Sequence, residues 1–276
     1  MGEEVGFVLR CEKYFNDHFT MHINIILVGL FVHILRSNGF VAICLCTRYS
    51  SLNSDVQSQP LLKQLFPSIV KTTLQSDNVR VFVAIDSDDY FWLGNKKYIT
   101  QSEKSLNITL LVVSKEKLRG RIPFNEITAF AFLEGAEFIV RINDDTVFTS
   151  SGWIALGIKA LAGMYPLNVG VVAPRLHYEI NERIFIHDMV HRTHLLIFST
   201  YYPRHFKNWF IDDWITLVYG PKNAKHVNNW YVSHLNVPTR YEIKMVTSAD
   251  LASAVDIGKK KIKRFISFNN ATTEWA

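Results

Sequence analysis

The sequence predicts an α/β fold, a mostly parallel sheet flanked by helices, and three observations predict it. Short, continuously apolar runs recur along the first half of the chain and each opens into a polar loop, as strands buried on both faces do. Between them lie stretches whose apolar residues follow helical spacing, so the strands are joined by crossovers. Several runs end on polar or acidic residues, at the strand ends where open sheets of this kind bind their ligands.

The first strand is Phe40 to Cys46, closing in Thr47-Arg48-Tyr49-Ser50-Ser51. Leu61, Leu62, Leu65, Phe66, Ile69, Val70 and Leu74 then share one helical stripe, with Pro67 as a kink or late start. Val79 to Ile85 is the second strand, opening into Asp86-Ser87-Asp88-Asp89, and Ile108 to Val113 is the third. Pro123 fits a first helical turn, Glu126 to Phe132 the body of that helix, and Gly135 its end. Phe138 to Ile142 is the fourth strand, Trp153 to Leu161 a helix, and Val169 to Ala173 a fifth strand stopped by Pro174. From Leu176 to about Tyr231 the pattern fades into a stretch crowded with His, Tyr, Trp and Phe. That suits an irregular, site-forming insertion more than a repeat of the sheet pattern. A final helix opens at Thr247-Ser248-Ala249-Asp250, a capping-box start, and runs through Leu251, Val255 and Ile262. Its Lys259-to-Arg264 cluster could reach phosphates or acidic lipid heads, against the plainer reading of a solvated helix end complementing the dipole.

With 276 residues, 48% of them hydrophobic, the chain can bury a full core. The net charge of +5 suits an anionic ligand such as a nucleotide, and no nucleic-acid-binding signature accompanies it. Of the three cysteines, Cys44 and Cys46 share one face of the first strand, which points to buried thiols and away from a disulfide framework. No repeat or long linker divides the chain, so residues 39–276 read as one catalytic-type domain behind an extension at 1–38. Within that extension, Ile25 to Leu35 is apolar but shorter than the roughly 18 residues of a spanning helix, and its acidic flank is unlike a signal peptide. It is taken as a membrane-proximal anchor, with an interfacial or buried helix as the other readings. Asn107-Ile108-Thr109 and Asn270-Ala271-Thr272 match the glycosylation sequon, a triplet common by chance.

The chemistry is expected at Asp144 and Asp145, where the fourth strand ends. Adjacent carboxylates leaving an apolar element repel, and a cation offsets that repulsion. Oxygen ligands here could hold Mg2+ or Mn2+ while substrate phosphates complete the shell, and the plain alternative is a solvated Asp-Asp turn. A second pair, Asp212 and Asp213, lies between Trp209-Phe210-Ile211 and Trp214-Ile215. Aromatic enclosure raises a carboxylate toward the range useful for a base, although Asp is also favoured at helix starts. His187, His191 and His194 follow an i, i+4, i+7 spacing that would put three imidazoles on one helix face, as acceptor contacts, structural histidines or zinc ligands.

In this order the motifs resemble the GT-A glycosyltransferases of the family 2 type. They are the strand ending Cys46-Thr47-Arg48, the strand ending at Asp86, Arg119 six residues before Asn125, Asn143-Asp144-Asp145, and Phe210-Ile211-Asp212-Asp213-Trp214. The resemblance spans roughly residues 39 to 217. It implies a GT-A (Rossmann-like) domain with a nucleotide-sugar half at 39–150 and an acceptor half at 151–276. By it, Thr47 and Asp86 hold the nucleoside, Arg119 lies near the base or phosphates, Asp144 contacts ribose or metal, and Asp145 binds the divalent ion. Asn143 stands where the family's D-x-D motif has its first acid, which leaves open which aspartate is the direct ligand. Asp213, or its neighbour Asp212, would be the catalytic base, and His226 or His234 a late metal ligand. The implied activity is transfer of a sugar from a UDP- or GDP-sugar to a hydroxyl on a glycan, protein or lipid, with inversion and with Mn2+ or Mg2+ as cofactor. Such an enzyme would sit at a membrane of the secretory pathway, Golgi or ER, with a cytoplasmic site as the other reading. The competing classes are a sugar-phosphate nucleotidyltransferase and a non-catalytic carbohydrate-binding relative. Against the first, Thr47 to Asn53 lacks the glycines of a triphosphate loop.

Overall fold

The computed structural model describes residues 39–49, 54–177, 183–235, 240–242 and 244–273. The apolar run at Ile25 to Leu35 lies outside them. All described strands and helices belong to one compact unit, Phe40–Ala276.

Strand β1 (Phe40–Thr47) is buried at every position, because β2 (Val79–Asp86) and β4 (Ala136–Asn143) flank it in parallel register. Strand β3 (Asn107–Val113) pairs beyond β2. This four-strand block is the one the apolar runs predict. One face presents Val41, Ile43, Leu45, Val140 and Ile142, which join Leu61, Leu65, Phe66 and Ile69 in the core. Those last residues lie on a π-helical turn, Leu61–Leu65, continuing into helix α1 (Phe66–Thr72), so Pro67 falls at the junction of the two helical forms, where the change of hydrogen-bond register accommodates a residue with no N–H to donate. Helix α2 (Phe124–Leu133) packs against β1 and β4, and Gly135 ends its connection to β4 at φ 95°. Cys44 and Cys46 are buried free thiols on β1, and burial pushes both well above the ordinary thiol range.

The chain runs from β1 out to β2 and β3, then returns to the other side of β1 as β4. The sheet therefore reverses direction between β1 and β4, and the crevice above their C-terminal ends is the natural ligand site of such a fold. The second half of the sheet comprises β5 (Thr146–Phe148), β6 (Val171–Leu176), β7 (Asp188–His191) and β8 (Ala224–His234). The eight strands lie in the order β3-β2-β1-β4-β7-β6-β8-β5. Pro174 does not stop β6 as expected, because the register of β6 on β8 shifts between Ala173 and Arg175 and takes up the missing donor. The stretch from Leu176 to Tyr231 is more regular than expected. It supplies β7, most of β8, helix α4 (Thr193–Phe198) and helix α5 (Ile211–Val218), while helix α3 (Trp153–Ala162) precedes it at the expected place.

The histidine spacing misled for the same reason. His187 precedes β7, His191 ends it and His194 lies in α4, so the three imidazoles share no helix face. His191 contacts Thr193, and His194 contacts Tyr219 Oη at 2.8 Å and the Tyr201 carbonyl at 2.9 Å.

Helix α6 (Ser248–Thr273) opens as its capping box predicts. Thr247 N–H donates to Asp250 Oδ2 at 2.9 Å, and Asp250 N–H donates back to Thr247 Oγ1 at 3.2 Å. It packs on α5, where Trp214 Nε1 donates to the Ala254 carbonyl at 3.2 Å. Gly258 makes the close approach possible, since a Cβ there would stand 2.4 Å from Val218 Cγ2. Among the described residues, no helix is long and apolar enough to cross a membrane.

Candidate active site

Three groups of side chains meet above the ends of β1, β2 and β4. The first joins three residues expected at the nucleoside. Thr47 Oγ1 donates to Asp144 Oδ2 at 2.5 Å, and Arg48 Nη1 donates to Asp86 Oδ2 at 2.6 Å and to Asp88 Oδ1 at 3.0 Å. Arg240 clamps both oxygens of Asp144, donating to Oδ2 at 2.7 Å, and also reaches the Arg48 carbonyl at 3.2 Å. The Arg48 guanidinium lies 5.8 Å from the centre of the Tyr241 ring. Burial raises the Asp86 carboxyl while Arg48 pulls it down, and Asp88 and Asp89 push it up again. Burial likewise raises Asp144 against Arg240. Asp88 is held well below the ordinary carboxylate range, first by its bond to Arg48.

Asp144 and Asp145 leave the turn after β4 in different directions, so they do not act as a pair. Asp145 faces β8, whose antiparallel pairing with β5 sets His234 opposite Thr146. His234 Nε2 stands 3.1 Å from Asp145 Oδ1 and 3.4 Å from Asn143 Nδ2. Asp145 Oδ1 is buried and accepts no hydrogen bond. Among the described residues, no three His, Cys, Asp or Glu side chains converge closely enough to hold a metal alone. A carboxylate oxygen without a donor, beside an imidazole nitrogen, nevertheless fits a hard divalent cation that takes most of its shell from phosphates and water. Neighbouring ligands of such an octahedral ion stand about 3 Å apart. Both oxygens of Asp144 are engaged by Thr47 and Arg240, which leaves Asp145 and His234 as the side chains that could hold such a cation in this arrangement. His226 is elsewhere, its Nδ1 2.8 Å from the Pro174 carbonyl. His187 Nε2 contacts Thr146 Oγ1 at 3.2 Å, and burial lowers its pKa well below the imidazole range.

The third group is built on Arg141, which shares the face of β4 that carries Asn143 and is 1% exposed. Its Nε donates to Asp188 Oδ2 at 2.9 Å, and its Nη2 donates to the Phe185 carbonyl at 3.0 Å and to Asp212 Oδ1 at 2.8 Å. The Ile186 carbonyl accepts from Nη1. The guanidinium lies between the rings of Phe124 and Tyr202, 5.5 and 5.6 Å from their centres. Asp188 is fully buried and also accepts from the Tyr201 and Tyr202 hydroxyls. Tyr202 is fixed in turn by Asn125, which accepts from its N–H at 2.7 Å and donates to its carbonyl at 3.0 Å.

Asp212 and Asp213 form the first turn of α5 after Phe210, which takes φ 65°. Burial pushes the Asp212 carboxyl up to about 6, with Arg141 pulling it down and Asp188 and Asp213 adding to the rise. Asp213 is raised by burial as well, and no side chain anchors it among the described residues. Arg141 thus ties the strand that leads into Asp144 and Asp145 to the helix that carries the second carboxylate pair. Arg119 is not drawn in. It is exposed, in the left-handed conformation at the end of the helical turn Lys115–Leu118, and no hydrogen bond among the described residues links it to the other site residues. Sequence reasoning missed Arg141, Arg240 and Tyr241. Only Arg141 left a signal, as a charge inside an apolar strand that needs a buried counter-ion.

The fold is that of the GT-A glycosyltransferases. GalNAc-T7 with UDP, GalNAc and Mn2+ superposes with a TM-score of 0.56 at 8% identity, over 80% of this chain and 48% of that one. A mannosyltransferase from Pyrobaculum calidifontis in complex with GDP-Man and Mn2+ gives 0.52 at 16% identity, over 74% and 59%. S. aureus TarS 1-349 in complex with UDP gives 0.51 at 13%, over 79% and 65%. The chain therefore spans about half to two thirds of the length of these structures. No family model matches the sequence, and no curated protein does.

Proposed function

We propose that the protein is a metal-dependent glycosyltransferase that moves a sugar from a UDP- or GDP-sugar to a hydroxyl on a glycan, protein or lipid, with inversion. The observation that carries the reading is the meeting of Asp145 and His234 at the point where the sheet reverses, with Asp212, the neighbour of Asp213, tied to the same strand through Arg141. The GDP-Man, UDP and Mn2+ of the structurally similar enzymes agree with it. Thr47 and Asp86 would hold the nucleoside and Asp144 the ribose, once Arg48 and Arg240 yield their carboxylates. Asp145 and His234 would hold the cation, which offsets the charge on a departing nucleoside diphosphate. Asp213, beside a neighbour fixed by Arg141, would take the acceptor's hydroxyl proton as that oxygen attacks the anomeric carbon.

The test is calorimetry of UDP and GDP with Mn2+ or with chelator. Mn2+ is expected to tighten nucleotide binding at least tenfold, and Asp145→Ala to abolish the difference. Equal affinity with chelator present would defeat the metal role. Asp213→Asn is expected to bind donor normally and to lose transfer, and retained turnover would move the base elsewhere. The ion pairs of Arg48 with Asp86 and of Arg240 with Asp144 favour one second reading, a carbohydrate-binding relative whose donor site is closed by its own arginines. It predicts no nucleotide binding in the same titration.

A further inference from the structure

Helix α6 carries five exposed cations within two turns: Lys259, Lys260, Lys261, Lys263 and Arg264. Basic residues often complement the negative pole of a helix, but that effect is confined to the last turn. The last turn of α6 holds no basic residue, so the dipole does not explain the cluster. Within the helix these charges oppose one another, since Lys259 and Lys263, and Lys260 and Arg264, are like-charge pairs at i,i+4. Among the described residues, Asp256 is the one carboxylate ion-paired to the cluster, 2.6 Å from Lys260 Nζ. From Ile257 to Thr273 the helix has no acidic side chain at all.

The charges are interleaved with apolar side chains in contact with water. Ile257, Lys261, Arg264 and Phe268 follow i, i+4, i+7, i+11 spacing along one line, with Ile257 53% and Phe268 46% exposed. Ala254, Val255 and Gly258 are buried, with Ala254 and Gly258 set against α5. A soluble polyanion would satisfy the cations and leave Ile257 in water. An anionic bilayer takes both, because headgroups meet the charges and the acyl boundary accepts the apolar side chains.

We propose that α6 seats the protein on an anionic lipid bilayer, with Lys259, Lys260, Lys261, Lys263 and Arg264 against the headgroups and Ile257 at the acyl boundary. The inference stands apart from the glycosyltransferase reading.

The experiment is sedimentation of the full chain with phosphatidylcholine vesicles, neutral or containing about 30 mol % phosphatidylserine, at about 0.1 M salt. Binding is expected to the anionic vesicles and to weaken as salt rises. The variant Lys259→Gln/Lys261→Gln/Lys263→Gln keeps helix propensity and is expected to lose about a hundredfold in partitioning, from about fivefold for each charge. Equal binding to neutral vesicles, an unchanged variant, or binding to single-stranded RNA without binding to vesicles would each overturn the proposal.

Discussion

Replacing Arg141 with Met removes the buried cation on which Asp188 and Asp212 both lean. Asp188 would keep only the Tyr201 and Tyr202 hydroxyls, and the Phe185 and Ile186 carbonyls would lose their donor. Taking one partner from a buried pair costs about 3–5 kcal/mol, since the survivor must either stay charged and desolvated or take up a proton against the solvent pH. In a chain of 276 residues each kcal/mol moves Tm by about 2–4 °C, so the melting point should fall by about 10 °C. The loss also depends on pH. Burial already raises the Asp188 carboxyl and Arg141 pulls it down, so without Arg141 it rises further. The folded variant then holds a proton that the unfolded chain has released, and its stability falls as pH rises above the ordinary carboxylate value. Urea unfolding at pH 5 and pH 8 should therefore show the larger deficit at pH 8. Adding Asp188→Leu should recover most of it. A deficit under about 1 kcal/mol at pH 8, or one that grows toward acid, would refute a buried charge pair as the source.

Two further outcomes follow from the geometry. His234→Ala should weaken Mn2+ binding in the presence of UDP or GDP by at least about tenfold, while His226→Ala, which is remote from Asp145, should leave it unchanged; titration of both variants separates the two histidines. Thr247→Ala removes the hydroxyl that accepts from Asp250 N–H and donates to Asp250 Oδ2, leaves the backbone N–H bond to Asp250 in place, and should cost about 1 kcal/mol, read as faster amide exchange in the first turn of that helix with the sheet unaffected.

The first half of the fold was legible because β1 and β4 are buried on both faces and so appear as unbroken apolar runs. The second half was not. Strand β8 mixes buried Trp230 and Val232 with exposed Asn228 and Asn229, the latter at φ 67°, so neither alternation nor an apolar run marks it. Strand β5 has three residues, too few for any period. The carboxylates at the ends of β2 and β4 could be anticipated, since strand ends deliver side chains to one crevice. That Asp144 and Asp145 would part company could not, because it depends on Arg240, 96 residues further on. His234 was a candidate beside His226 without a means of choosing, and the pairing of β5 with β8 sets His234 beside Asp145, while His226 lies against the Pro174 carbonyl. Asp188 carried no signal, since its partner Arg141 is 47 residues away and only the antiparallel contact of β7 with β4 brings them together.

Because Arg141 and Asn143 are next-but-one residues on a strand hydrogen-bonded on both sides, about 6.6 Å of covalent pitch separates the anchor of Asp212 from the neighbour of His234. That interval is a ruler made of peptide bonds. Loops around the crevice can vary in length or composition without stretching it, so the residues at its rim are free to change while the spacing along β4 stays as the pleat sets it.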